Sequence, residues 1–263
     1  MIFLFTGVVA QIASDNLFNQ ALREARVQQI LPTNFFDSSV LKKINLNFNK
    51  ATADYIWLST IQYFGGGNPN LPYESLSQML FTVVELDPKF EYPYLFGGII
   101  LPWQNEPEAG LRLLDKGQKH FPNNGLLYYY AGFIAKLNLN DSERAAGYFQ
   151  TAVGKKDTPP AARLLAGISL SSLDDKQFAK TWWEGVLESE ENESIKERAR
   201  VWLDYLNTTI ELEKIIQLAQ QQTGQKISSL QDLVELGYLI KLPQTELGEL
   251  EYDALTGRVD KVN

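Results

Sequence analysis

YPYLFGGIILPWQNEPEAGLRLLDKGQKHFP, residues 92–122, decides the fold. Tyr94, Gly97, Gly98 and Leu101 form one block; Gly110, Leu114 and the closing Pro122 form a second. Such a unit reads as two antiparallel helices. Small residues stand where the helices press together, because Gly or Ala there permits close approach. The dipeptide Phe121-Pro122 ends the second helix, since proline has no N–H to continue it.

The same blocks recur downstream. Tyr128, Ala131, Gly132 and Ala135 precede Ala145, Phe149 and Ala152; Arg163, Ala166, Gly167 and Leu170 precede Ala179, Trp183 and Val186. Gly98 to Gly132 is 34 residues, Gly132 to Gly167 is 35, and Phe149 to Trp183 and Pro88 to Pro122 are each 34. A fixed period of this size is the mark of a helical repeat array. An earlier, degenerate copy places Trp57, Ile61 and Phe64 on its first helix and Leu76, Leu80, Val83 and Pro88 on its second. The glycine run Gly65–Gly67 is a loop insertion between them, of a kind loops tolerate well. Gly98, Gly132 and Ala145 are read as packing residues rather than ligand contacts.

The expected fold class is therefore all-α: a helical-hairpin solenoid with a long C-terminal capping helix and a small C-terminal β-hairpin. Residues 1–50 hold an N-terminal apolar segment and helix, and 51–190 about four helix pairs. Residues 191–223 form the capping helix, which a solenoid needs to cover its last apolar face. Residues 224–263 form a short helix, capped by Ser228 or Ser229 and ending near Gly237, and then a hairpin. In the hairpin, LEYD and RVDKV flank a turn at Ala254–Gly257.

Composition fits a folded soluble chain, with 44% hydrophobic and 21% charged residues. The net charge of -8, from 24 basic and 32 acidic residues with no basic run, argues against a nucleic-acid partner. The absence of cysteine excludes disulfides, thiolate catalysis and cysteine-bound zinc. The one histidine, His120, sits at a helix end beside Phe121-Pro122 and reads as a surface residue. No phosphate-binding glycine motif is present. The carboxylates Glu106 and Glu108, Asp174 and Asp175, and Glu190–Glu193 read as solvated or helix-starting groups. No enzyme activity, cofactor or metal is expected.

At the N-terminus, MIFLFTGVVAQIA (residues 1–13) is shorter than the ~18 residues of a membrane span. It has the length of a signal-peptide apolar core without the basic region before it. Three readings stand side by side: the tail of a truncated membrane anchor, a degenerate export signal, or the first turns of an amphipathic helix packed on the body. A helix over residues 14–31 follows, with Ser14 or Asp15 as its cap and Pro32 as its stop.

Across residues 51–190 the chain resembles the tetratricopeptide repeat family, whose pattern is W-x2-L-G-x2-Y, then A-x3-F, then a closing Pro. LPTNFFDSSVLKKINLNFNKATADYIWLSTIQYFG (residues 31–65) and LDPKFEYPYLFGG (residues 86–98) resemble a narrower group, bacterial membrane-anchored tetratricopeptide proteins. The resemblance implies a short membrane segment before the Leu31-Pro32 motif and repeats that face the periplasm. The tail GYLIKLPQTELGELEYDALTGRVDKV (residues 237–262) is similar to the C-terminal hairpin pattern of pseudopilin-like proteins.

In such arrays the first helix of each pair lines the concave face, where peptides bind. Counting along these helices gives Tyr92, Leu95, Ile99 and Pro102; then Leu126, Tyr129, Phe133 and Lys136; then Ala161, Leu164, Ile168 and Ser171. With a single lysine this set is apolar and aromatic and is no carboxylate clamp. An apolar face of that length must be covered. The occupant is an apolar helix or extended segment of a protein partner, or the chain's own helix from Ser194 or from Ser14. Trp183 aligns with Phe149 and is core, whereas Trp182 points elsewhere. The expected function is a protein–protein interaction scaffold in a bacterial cell-envelope assembly, at the periplasmic face of the membrane, with membrane contact through residues 1–13. The alternatives are a permanent structural subunit of a larger membrane-associated complex, with the groove filled by its own helices, and a cytoplasmic location.

Overall fold

The computed structural model describes residues 38–65 and 74–262. The apolar segment 1–13, the expected helix 14–31 and the loop glycines after Gly65 lie outside the described residues. The described chain is mostly helical, ending in a two-stranded antiparallel hairpin, and divides into two compact units, Met1–Ile134 and Ala135–Asn263.

In the first unit, α1 is Ser38–Ile44, α2 Asn49–Gly65, α3 Glu74–Leu86, α4 Tyr92–Trp103, α5 Pro107–His120 and α6 Gly125–Phe133. From α2 to α6 each helix packs against the next, while α1 packs on α3 and α6 also reaches α4. The breaks fall where the sequence puts them. α3 stops before Asp87-Pro88, α5 stops before Phe121-Pro122, and α4 and α5 both begin with proline in the first turn, where its missing N–H costs nothing.

Close approach of α4 and α5 depends on glycine. A Cβ on Gly98 would lie 2.5 Å from Leu114 Cδ2, and one on Gly117 would lie 2.9 Å from Tyr94 Cγ. Tyr94, Leu101, Leu113 and Leu114 are fully buried at this junction, together with Leu76, Met79, Leu80 and Val83 of α3. Each buried leucine contributes about 1.5–3 kcal/mol relative to exposure.

In the second unit, α7 is Ser142–Ala152, α8 Ala161–Leu170, α9 Lys176–Ser189 and α10 Glu193–Thr223; α11 is Leu230–Glu235. Side-chain caps set three of the starts. Asp141 accepts from Arg144 N–H, Asp175 from Phe178 N–H, and Asn192 from the N–H groups of Ser194 and Ile195, each satisfying helix-end donors that have no intrahelical partner. α10 ends at Gly224, whose φ of 65° is the left-handed conformation glycine adopts without a steric penalty. Strands β1 (Leu250–Asp253) and β2 (Arg258–Lys261) pair with Tyr252 opposite Val259, and Gly257 supplies the turn at φ 77°.

The 31-residue α10 takes part in two separate apolar clusters. Its N-terminal half brings Ile195, Ala199, Trp202, Tyr205 and Leu206 against Trp183, Ala179 and Val186 of α9. Its C-terminal half carries Leu212, Ile216 and Ala219 into a separate cluster with Leu230 and Leu233 of α11 and with Tyr252 and Val259 of the hairpin. No helix among the described residues is long and apolar enough to cross a membrane.

Candidate functional site

The expected inner-facing residues fall in both units. In the first unit, α4 and α6 pack against each other. On α4, Tyr92 is 72% exposed, and Leu95, Ile99 and Pro102 are half-buried, while Tyr94, Gly97, Gly98 and Leu101 are in the core. On α6, Leu126, Tyr129 and Phe133 are half-buried, while Leu127, Ala131 and Gly132 are in the core. This division is what a 3.6-residue period dictates for a helix packed on one side. The rings of Tyr129 and Phe133 meet edge-on with centroids 4.9 Å apart, a favourable aromatic geometry. Burial, and then neighbouring Tyr130, raises the phenol of Tyr129 above its ordinary pKa.

Trp57 of α2 lies edge-on to Phe90 at 5.6 Å and to Phe96 of α4 at 5.4 Å, and Phe64 lies edge-on to Phe96 at 5.3 Å. Sequence reasoning passed over two exposed residues on the same helix. Tyr55 and Leu58 of α2 are 57% and 60% exposed. Their spacing of three along a helix was the available signal. The degenerate repeat directed attention to Trp57, Ile61 and Phe64 instead.

In the second unit, Leu164 and Ile168 are half-buried on α8 and pack against the cluster around Trp183 and Trp202. Lys136 lies in a short π-helical turn, Ile134–Asn138, and its Nζ donates to Ser142 Oγ at 2.8 Å and Ser172 Oγ at 3.1 Å. Burial, and then the charge of Lys261, depresses its pKa below the usual lysine value. Ala161 is half-buried. Ser171 departs from expectation, for it is buried: its hydroxyl accepts the Trp183 indole N–H at 2.9 Å and donates to the Gly167 carbonyl at 2.8 Å. Trp183 is the fully buried core residue expected, and Trp182 is half-buried with its indole N–H donating to the Arg163 carbonyl at 3.2 Å.

The C-terminal tail also packs on this unit. Leu247 and Leu250 lie against the same cluster as Leu164 and Ile168, and the Lys261 ammonium stands 6.0 Å over the Trp202 ring. Tyr205 Oη is 3.3 Å from Asp260 Oδ1 and accepts the Lys261 backbone N–H at 3.3 Å. The sequence reading named the helix from Ser194 and the N-terminal helix as segments able to cover this surface, and did not name the tail.

His120 is exposed at the end of α5, its ring stacked on Tyr94 at 6.4 Å. Among the described residues no group of three or more acidic or histidine side chains converges as a metal site would. No protein-family model and no curated protein matches this chain.

Proposed function

We propose that this chain is a protein–protein interaction scaffold of the tetratricopeptide type, which holds an apolar helix or extended segment of a partner protein. One observation carries the reading. Tyr92, Leu95, Ile99, Leu126, Tyr129 and Phe133 stand outside the buried core on two packed helices, and none of the six is charged. An apolar helix laid in a groove reads such side chains as anchors at helical spacing. In the second unit the corresponding residues are Lys136, Leu164 and Ile168. Support for binding rather than catalysis comes from a composition with one histidine and no cysteine. The setting, a bacterial cell-envelope assembly with the repeats on the periplasmic side, rests on the resemblance of residues 31–65 and 86–98 to membrane-anchored tetratricopeptide proteins.

A second reading is favoured by the tail. Leu247 and Leu250 already pack on the cluster that Leu164 and Ile168 adjoin. On this reading the protein is a permanent structural subunit whose inner surface is filled by its own chain. Phe133→Glu, on the first-unit strip, and Ile168→Glu, beside the tail, separate the two. For a partner surface Phe133→Glu abolishes capture of the partner from solubilised membranes and leaves the circular-dichroism melt close to wild type. For a self-filled surface Ile168→Glu lowers stability by about 1–3 kcal/mol, because a charge is buried without a partner. If neither binding nor stability changes, this face is not the working surface.

A further inference from the structure

The two edges of the C-terminal hairpin are not alike. In an antiparallel pair, alternate residues turn their N–H and C=O toward the other strand, and the residues between them turn theirs outward. Val262 N–H donates to the Glu249 carbonyl at 2.9 Å, and Tyr252 stands opposite Val259. On β1, Glu251 and Asp253 therefore face β2, while Leu250 and Tyr252 face outward. On β2 the outward residues are Val259 and Lys261.

Side chains meet three of the four outward groups of β2. Val259 N–H donates to Glu213 Oε1 at 3.0 Å, its carbonyl accepts from the buried Lys176 ammonium, and Lys261 N–H donates to Tyr205 Oη at 3.3 Å. Lys176 also pairs with Glu213 at 2.7 Å, so α9 and α10 together close this edge. Among the described residues none hydrogen-bonds the outward backbone groups of Leu250 or Tyr252. β1 thus ends the sheet with N–H and C=O groups open to a further strand.

The charges of β1 select that strand. Glu249, Glu251 and Asp253 alternate with Leu250 and Tyr252, so the three acids share one face, and all three are exposed. Among the described residues no cation pairs with Glu249 or Glu251. A second copy of the chain is a poor fit. Two-fold antiparallel pairing of two β1 edges, centred on Leu250, Glu251 or Tyr252, sets Glu249 against Glu251, Glu251 against itself, or Glu251 against Asp253. Like charges directly opposite destabilise a sheet. A strand with lysine or arginine opposite Glu251, and apolar residues opposite Leu250 and Tyr252, reverses that sign. The chain's net charge of -8 also attracts such a segment at long range.

We propose that the open edge of β1 docks an extended segment of a partner protein in which lysine or arginine alternates with apolar residues, added as a third strand of the hairpin sheet. Main-chain hydrogen bonds to Leu250 and Tyr252 hold the segment, and the acidic face chooses its side chains. The site lies in the second unit and goes beyond the groove reading, which stands or falls separately.

The test uses the full chain and a synthetic peptide of about seven residues alternating valine and lysine, with amide protection as the readout. In the free protein Leu250 and Tyr252 should be less protected than Glu251 and Asp253. The basic peptide at saturation is expected to raise protection at Leu250 and Tyr252 at least about tenfold. A valine–glutamate peptide should protect neither. The basic peptide methylated at every backbone nitrogen keeps its charges but cannot donate hydrogen bonds, and should protect neither. Glu251→Lys, on the exposed face, should return both amides toward the free rate in the presence of the basic peptide. The proposal is overturned if the basic peptide gives no protection, or if the acidic or methylated peptide protects equally. Leu250 and Tyr252 as protected as Glu251 in the free chain would mean that the edge is already filled. Protection that rises with protein concentration alone would make the occupant a second copy, against the choice made here.

Discussion

The indole rings of Trp183 on α9 and Trp202 on α10 lie nearly parallel, with centroids 5.9 Å apart and planes inclined by 6°. Trp183 is fully buried and its N–H is satisfied by Ser171, so its large apolar ring carries no unmet polar cost. Trp183→Ala removes both the ring stack and the filler beneath Gly167, where a Cβ would lie 2.6 Å from Trp183 Cε2. The expected loss is about 3–5 kcal/mol by denaturant unfolding, with the near-ultraviolet circular dichroism of the stacked indoles abolished. A loss below 1 kcal/mol would mean that the second unit does not depend on this pair.

The glycines at the helix junctions supply a prediction of opposite sign in volume. Gly132 is buried on α6, as its repeat equivalents Gly98 on α4 and Gly167 on α8 are on their own helices. Gly132→Leu and Gly98→Leu each overpack a junction and should lower stability by about 1–3 kcal/mol or more. At position 98 the incoming side chain meets Leu114, which is itself fully buried. Thermal melts that match wild type for both variants would break the register that aligns these positions.

How far the sequence could be read follows from the range of each signal. Asp87-Pro88, Phe121-Pro122, Ser229 and Thr256-Gly257 mark element ends through local backbone chemistry, and the elements end there. The period near 34 residues sorts core positions from surface ones, and Tyr94, Phe149, Trp183, Ala145 and Gly98 are all buried. Interactions between distant positions leave no such mark. Lys176 lies 37 residues from Glu213 and 83 from Val259, and a lysine in the first turn of a helix runs against the dipole, so nothing local singles it out. Counting turns places Ser171 on the inner face, yet its direction is set by the indole of Trp183, twelve residues on. The candidate partner strip in the first unit was legible as a pattern of faces, whereas the tail that packs on the second unit was not.

Asp232 gives a pH-dependent test of the short α11. Its carboxylate accepts the Ser228 backbone N–H at 2.8 Å, the Ser229 hydroxyl at 2.7 Å, the Ser228 hydroxyl at 2.9 Å and the Ser229 backbone N–H at 3.2 Å. The bond from the Ser228 backbone, followed by those from the two hydroxyls, holds its pKa down to about 2. A depressed carboxylate stabilises the fold above its unfolded pKa of about 3.9, and that contribution is lost as pH falls through about 2. Amide protection in residues 230–235, taken relative to the intrinsic exchange rate at each pH, should therefore fall between those limits, and Asp232→Asn should remove this pH dependence. A carboxyl titration of Asp232 near the ordinary value would refute the capping arrangement.

Tyr205 and Tyr94 provide the complementary test at alkaline pH. Burial first, and then the charge of Asp260, pushes the Tyr205 phenol up to about 12; burial first, and then Asp87, does the same for Tyr94. In the unfolded chain a tyrosine loses its proton near pH 10. Between about pH 10 and 12 the folded protein holds protons that the unfolded chain has released, so stability is fully present below this window and declines as pH rises through it. Absorbance titration should show two phenols ionising near pH 12, later than the rest. Tyr205→Phe should remove one of them and flatten part of the alkaline decline, at the cost of the hydrogen bonds to Asp260 and the Lys261 backbone. That cost falls on β2, so the same variant should also speed amide exchange at Lys261. If all tyrosines ionise together near pH 10, Tyr205 is solvated, and the hairpin does not lie over α10 as described.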